Sequence, residues 1–197
     1  MRNQPETPAA TSRFSALLGA DAPYRHERRQ LSLDEMVKRE VDAATGKPTA
    51  VRALFDYWQE RRGVAAADSA AFDRVHFDPK GAFTPEQFRW IAWVDVRRAD
   101  PMSYVFRNHP GFLFGDWSGK TLLEYPNQIH ARSLALEYLA CKVVQQPSYY
   151  EITQTVGEVR RTYTRLLLPA GGRRPAVSRL YYAVRYVSIE TGVHSRP

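Results

Sequence analysis

Cysteine is almost missing from this chain of 197 residues: Cys141 is the only one. That excludes an internal disulfide and points to a reducing, cytoplasmic setting. Long apolar runs are missing as well. The opening stretch, MRNQPETPAATSRFSALLGADAPYRHERRQ, contains none, which argues against a signal peptide and a membrane span. The common motifs of catalysis are also absent. There is no Gly-x-Ser-x-Gly, no Gly-x-x-x-x-Gly-Lys phosphate loop and no Gly-x-Gly-x-x-Gly. Ser178 and His194 have no supporting acid at useful spacing, and none of the five histidines has a second ligand at helical or strand spacing for a metal. A non-enzymatic protein without cofactor or metal is the expectation.

What is present suits one ordinary domain with extensions: 44% hydrophobic and 12% aromatic residues can bury a core. The net charge of +7 is unevenly placed. Residues 1–154 carry 20 Lys and Arg against 19 Asp and Glu, whereas residues 155–197 carry 8 against 2. A basic patch attracts nucleic acid, anionic lipid or an acidic partner. It is equally a solvated sheet face, and five of the eight late arginines fall in apparent strands instead of a run.

Residues 1–30 lack periodicity and read as a flexible arm. Residues 31–48 hold a helix opened by a Ser32/Glu35 capping box, with Leu33, Met36, Val37 and Val41 at helical spacing. Thr49 opens a second helix, TAVRALFDYWQERRG, whose apolar stripe is Val51, Leu54, Phe55 and Trp58. Short helical pieces follow, one starting at Thr84-Pro85. Then the period becomes that of strands. WIAWVDVRR and SYVFRNH form a hairpin around ADPM, and a Gly-rich loop follows. Asn127 caps a long helix ended by Pro147, with Ile129, Ser133, Leu136, Ala140, Val143 and Val144 on one face. SYYEITQTVG, EVRRTYTRLLLP and AVSRLYYAVRYVS are three closing strands. This order predicts an α+β fold: a five-stranded antiparallel sheet with helices on one face, plus an N-terminal helical extension.

Four stretches carry a family resemblance: LFDYWQERRG (54–63), WVDV through YVFRNHPG (93–111), GDWSGKTL (115–122) and YTRLLLPAGG (163–172). In order and spacing the chain resembles a bacterial group of stand-alone PAS-like proteins over residues 49–188, departing from the pattern at FRNHPGFLFG. The resemblance implies a PAS-like domain at 49–188, preceded by the arm and the helix of 31–48, with a tail at 189–197. It further implies a sensing or docking module, a cavity between sheet and helical segment, and a homodimer formed through the leading helix and outer sheet face.

On that basis Phe106, Trp117, His130, Leu134, Tyr138 and Tyr182 are the candidate ligand-pocket residues, aromatic walls with a few polar groups. The bland alternative is that they fill a core. His130, early in the long helix, stands where the resemblance implies a haem ligand, although a lone histidine is more often a packing or capping residue. His109 and His76 lie at a strand end and in a loop. Cys141, in LACKV, reads as a small core residue, and Asp95 as a half-buried acid paired across the sheet. Leu54, Phe55, Trp58, Tyr181 and Arg185 are the candidate interface. The expected role is a cytoplasmic sensory or regulatory module that binds a small molecule or docks an unknown signalling protein. The alternative is nucleic-acid binding by Arg160, Arg161, Arg165, Arg179 and Arg185, with Tyr163 and Tyr181 stacking on bases.

Overall fold

Short polar side chains decide where the helices begin. The computed structural model describes residues 24–65, 83–107, 116–156, 159–171 and 177–192. Readings at other positions, among them His76, His109, His194 and the loop after Pro110, lie outside the described residues. The elements are β1 (Tyr24–Leu31), α1 (Leu33–Arg39), α2 (Ala50–Ala65), α3 (Pro85–Phe88), β2 (Ile91–Asp95), β3 (Val105–Arg107), α4 (Gln128–Val144), β4 (Ser148–Val156), β5 (Val159–Gly171) and β6 (Val177–Thr191). Reciprocal capping boxes open α1 at Ser32/Glu35 and α3 at Thr84/Gln87. The Asn127 side chain accepts the His130 N–H at the start of α4 (2.9 Å). Among the described residues no helix is long and apolar enough to cross a membrane.

The fold is α+β, but the antiparallel sheet has six strands, in the order β1-β4-β5-β6-β2-β3. The sixth is β1, which corrects the expectation of a structureless arm up to residue 30. It pairs with β4 from Tyr24↔Val156 to Leu31↔Tyr149. Its sequence, YRHERRQL, lacks apolar alternation because it is an edge strand, where charged side chains are favoured and block further pairing. β6 runs on to Thr191, so the tail begins later than residue 189. The β2–β3 hairpin lies beside β6, and the chain returns through α4 to reach β4 on the other side. Gly119, at φ 87°, turns the intervening loop back so that its N–H bonds the Phe106 carbonyl (2.8 Å).

Helices cover both faces of the sheet, not one. On the first face α4 packs over Ala92, Val94, Ile152, Leu167, Leu180 and Tyr182. On the second, α1 and α2 pack over Ile91, Tyr149, Leu166, Leu168, Tyr181 and Ala183. This is why Leu166-Leu167-Leu168 has no polar position: successive side chains enter different cores. It also corrects the interface assignment. Leu54, Phe55 and Trp58 are buried with Tyr181 inside the same chain, and Trp58 donates Nε1–H to the Pro169 carbonyl (2.9 Å). Leu54, Phe55, Trp58 and Tyr181 are thus unavailable to a second subunit in this arrangement. On α4 the apolar side chains Ile129, Leu136, Val143 and Val144 are all more than half exposed. The buried side is His130, Ala131, Leu134, Ala135, Glu137, Tyr138 and Cys141.

The fifth interface candidate, Arg185, serves a buried carboxylate. α1 stops at Arg39, short of the expected helix end, and Glu40 turns inward with no exposed surface. Its carboxylate accepts hydrogen bonds from Tyr149 Oη (2.6 Å), Thr164 Oγ1 (2.7 Å), Thr49 Oγ1 (2.7 Å) and Arg185 Nε (2.7 Å). Burial pushes the Glu40 carboxyl up, but these bonds, led by Arg185, outweigh it and hold it below the usual range. Replacing Glu40 by Ala strands the buried Tyr149 and Thr164 hydroxyls and unpairs the partly exposed Arg185, so a loss of about 2–4 kcal/mol in urea unfolding is expected. A loss below about 1 kcal/mol would show that other contacts hold α1 and α2 in place.

Candidate functional site

The Asn127 cap sets the register of α4, and that register brings His130, Leu134 and Tyr138 onto the sheet. Opposite them stand alternate residues of two long strands, Arg161, Tyr163 and Arg165 on β5 and Tyr182, Val184 and Tyr186 on β6. Phe106 of β3 and Tyr125, in the turn before α4, close the sides. Together they line a cavity of about 50 Å³. A buried water needs roughly 10–15 Å³, so the space holds about three to five water-sized groups.

Five of the six residues chosen from sequence, Phe106, His130, Leu134, Tyr138 and Tyr182, line this one cavity. The sixth, Trp117, stands one layer back. Its ring packs on Tyr125 at 4.9 Å between centroids, and Tyr125 in turn meets the His130 ring at 5.2 Å. What sequence reasoning missed is the charged wall. Arg161 and Arg165 are 2% and 4% exposed and lie in the cavity wall, not on a wet sheet face. Tyr163 and Tyr181 are buried too, so the residue set proposed to grip nucleic acid does not form an exposed basic surface. Strand alternation puts Arg161, Tyr163, Arg165 and Leu167 on one side of β5, but it does not say that α4 covers that side.

The arginines are held by polar partners. Arg165 forms an ion pair with Glu137 of α4, whose other oxygen meets Arg28 of β1 (2.7 Å). Arg161 donates to the Gln154 amide oxygen, and its guanidinium lies 5.3 Å from the centre of the Tyr163 ring. The Gln154 amide nitrogen approaches His130 Nδ1 (3.4 Å). His26 of β1 meets His130 edge-on at 6.3 Å. Strand β1, absent from the sequence-based fold, therefore supplies both Arg28 and His26 to the rim of this cluster.

Burial first, and the surrounding charge second, disfavour protonation of both histidines. Burial lowers the His26 pKa to about 4, helped by Arg165, Arg28 and Arg161. His130 is held well below its ordinary value by burial, then by Arg161, Arg165 and His26. Burial raises the Tyr138 and Tyr182 hydroxyls well above the usual phenol range, so both remain neutral donors. The cavity as it stands has no room for a haem on His130. Cys141 is a buried core residue whose thiol burial pushes up to about 12. Asp95 is paired, but with the neighbouring Arg97 (Nε–Oδ1 2.9 Å) instead of across the sheet. Among the described residues no group of three or more His, Cys, Asp or Glu is placed to hold a metal ion.

No protein-family model matches the chain, and no curated protein or solved structure matches it significantly.

The histidines make acid stability a test of this site. Both folded-state pKa values lie below the unfolded value near 6.5, so their contribution is full above pH 6.5 and is lost as pH falls through the folded values. Unfolding free energy should decline from pH 6.5 downwards, and the stability contributed by Glu40, whose carboxyl is depressed, is lost only once pH falls below the ordinary carboxyl value of 4.5. Chemical denaturation at half-unit intervals should show this slope, and His26→Gln should flatten it. A wild-type curve level between pH 6.5 and 5 would contradict the arrangement.

Proposed function

We propose that the protein is a non-enzymatic, cytoplasmic PAS-type regulatory module whose cavity takes a small molecule. The observation that carries this reading is convergence. Residues selected by resemblance, spread from Phe106 to Tyr182 in sequence, meet at one cavity between sheet and helix. The strand arrangement supports it as well: setting β1 aside, the early hairpin β2–β3 lies beside the last of the three late strands, with the helical segment joining the two groups. Two of the stretches that carry the resemblance also touch, through the bond from Trp58 to the Pro169 carbonyl. Aromatic walls with a few fixed polar groups suit recognition of a small ligand. A signal would leave through packing, because β5 and β6 carry the cavity on one face and α2 on the other.

A screen of metabolite-sized compounds by ligand-observed NMR tests this directly. Wild type is expected to give hits, and Leu134→Trp, which fills the cavity, is expected to lose them while keeping its circular dichroism spectrum. Bound ligand should change hydrogen-exchange protection in residues 33–60. A screen without hits, or hits indifferent to Leu134→Trp, would reject the cavity as a ligand site.

Docking to a second protein finds support on another surface. Ile129, Leu136 and Val143 recur every seven residues along the outer side of α4, all exposed. We place the homodimer contact here, since the earlier candidate face is covered by α2. Light scattering should report a dimer for wild type and a monomer for Leu136→Glu. A wild-type monomer at high micromolar concentration would exclude this contact.

A further inference from the structure

The cavity is charged in one sense. Its wall includes two guanidiniums, Arg161 and Arg165, each more than nine-tenths buried, and no carboxylate among the described lining residues. Glu137 stands behind Arg165 and is shared with a third guanidinium, Arg28. Five tyrosines of the wall, at 125, 138, 163, 182 and 186, carry hydroxyl groups able to donate to an oxyanion. The same lining includes Phe106, Leu134 and Val184, which favour an apolar body.

We propose that the cavity is a receptor site for a small monocarboxylate, its head group held by Arg161 and Arg165 with tyrosine hydroxyls, its short apolar end against Phe106, Leu134 and Val184. This rests on the reading of the cavity as a ligand site and narrows it to one chemical class. Planar guanidinium groups present parallel N–H donors that match the two oxygens of a carboxylate. Size limits the rest of the molecule. A space of about 50 Å³ suits acetate or propionate, with four or five heavy atoms at about 10–15 Å³ each. The chemistry binds and releases; no bond is made or broken.

The test is isothermal titration calorimetry on the full chain with acetate and propionate, against the neutral isosteres acetamide and propionamide, with inorganic phosphate as a separate arm. The carboxylates should bind and the amides should not. Loss of a charge-assisted hydrogen bond is expected to weaken binding by about 10- to 100-fold in Arg161→Gln. Should Arg161→Gln fail to fold, Tyr182→Phe, which keeps the ring and removes one donor, should weaken it by about 3- to 10-fold. Equal binding of amides and carboxylates, abolished by Leu134→Trp, would overturn the carboxylate assignment and leave the small-molecule site intact. Binding of phosphate alone would overturn it as well. Carboxylate binding untouched by Arg161→Gln or Tyr182→Phe would place the anion elsewhere. If no probe binds while the wider screen gives Leu134→Trp-sensitive hits, the carboxylate assignment falls alone; if both are blank, the ligand site falls with it.

Discussion

The Glu40 carboxylate takes hydrogen bonds from Thr49 before α2, from Tyr149 on β4, from Thr164 on β5 and from Arg185 on β6, with no solvent access. A buried charge is tolerated only when its lone pairs are fully engaged. Here they are, and the geometry that satisfies them fixes where α1 ends and where α2 begins. Once α2 lies on the sheet, Leu54, Phe55 and Trp58 fill the space above Tyr181 and Ala183. The second face is then closed over Leu166, Leu168, Tyr181 and Ala183, and β5 and β6 are buried on both sides along that stretch. Their leucines, tyrosines and alanines follow from that closure.

Closure on one side also shapes the other. With the second face filled by α1 and α2, the first face is where α4 crosses, and it packs there with His130, Glu137 and Tyr138 inward. His130, Glu137 and Tyr138 are unusual core residues for an amphipathic helix. They are accommodated because β5 presents Arg161 and Arg165 beneath them, and because Arg28 reaches in from β1. Polar groups on both sides of a helix–sheet contact pack less densely than aliphatic ones and leave a cavity with directional donors. The same exchange leaves Ile129, Leu136 and Val143 on the outside of α4, where apolar side chains gain nothing unless something covers them. Polar cavity and apolar outer stripe are two results of one helix orientation.

Local chemistry was legible where a few neighbouring residues suffice to decide a conformation. Ser32 with Glu35, Thr84 with Pro85 and Gln87, and Asn127 are helix starts, and each caps its helix as its side chain requires. The five strands read from β-branched and aromatic alternation are all present. β1 was hidden because an Arg-rich edge strand carries no apolar alternation. The exposure of Ile129, Leu136 and Val143 was not legible, because apolar spacing alone does not say which side of α4 meets β5. The pocket was largely legible through Phe106, His130, Leu134, Tyr138 and Tyr182. Its arginines were visible in sequence but assigned to water.

By itself the sequence determined the helix starts, five of the strands, the α+β class and the set of side chains facing each way along β5 and β6. These depend on periodicity and on bonds between residues a few positions apart. Only the tertiary structure decided which of those faces would be covered, that β1 would join the sheet, and that Arg161 and Arg165 would look into a cavity instead of solvent. Such outcomes depend on contacts between residues far apart in the chain, such as Arg28 with Glu137 and Glu40 with Arg185. No local pattern records a partner more than one hundred positions away, so burial of a charge can be read only once that partner is in place.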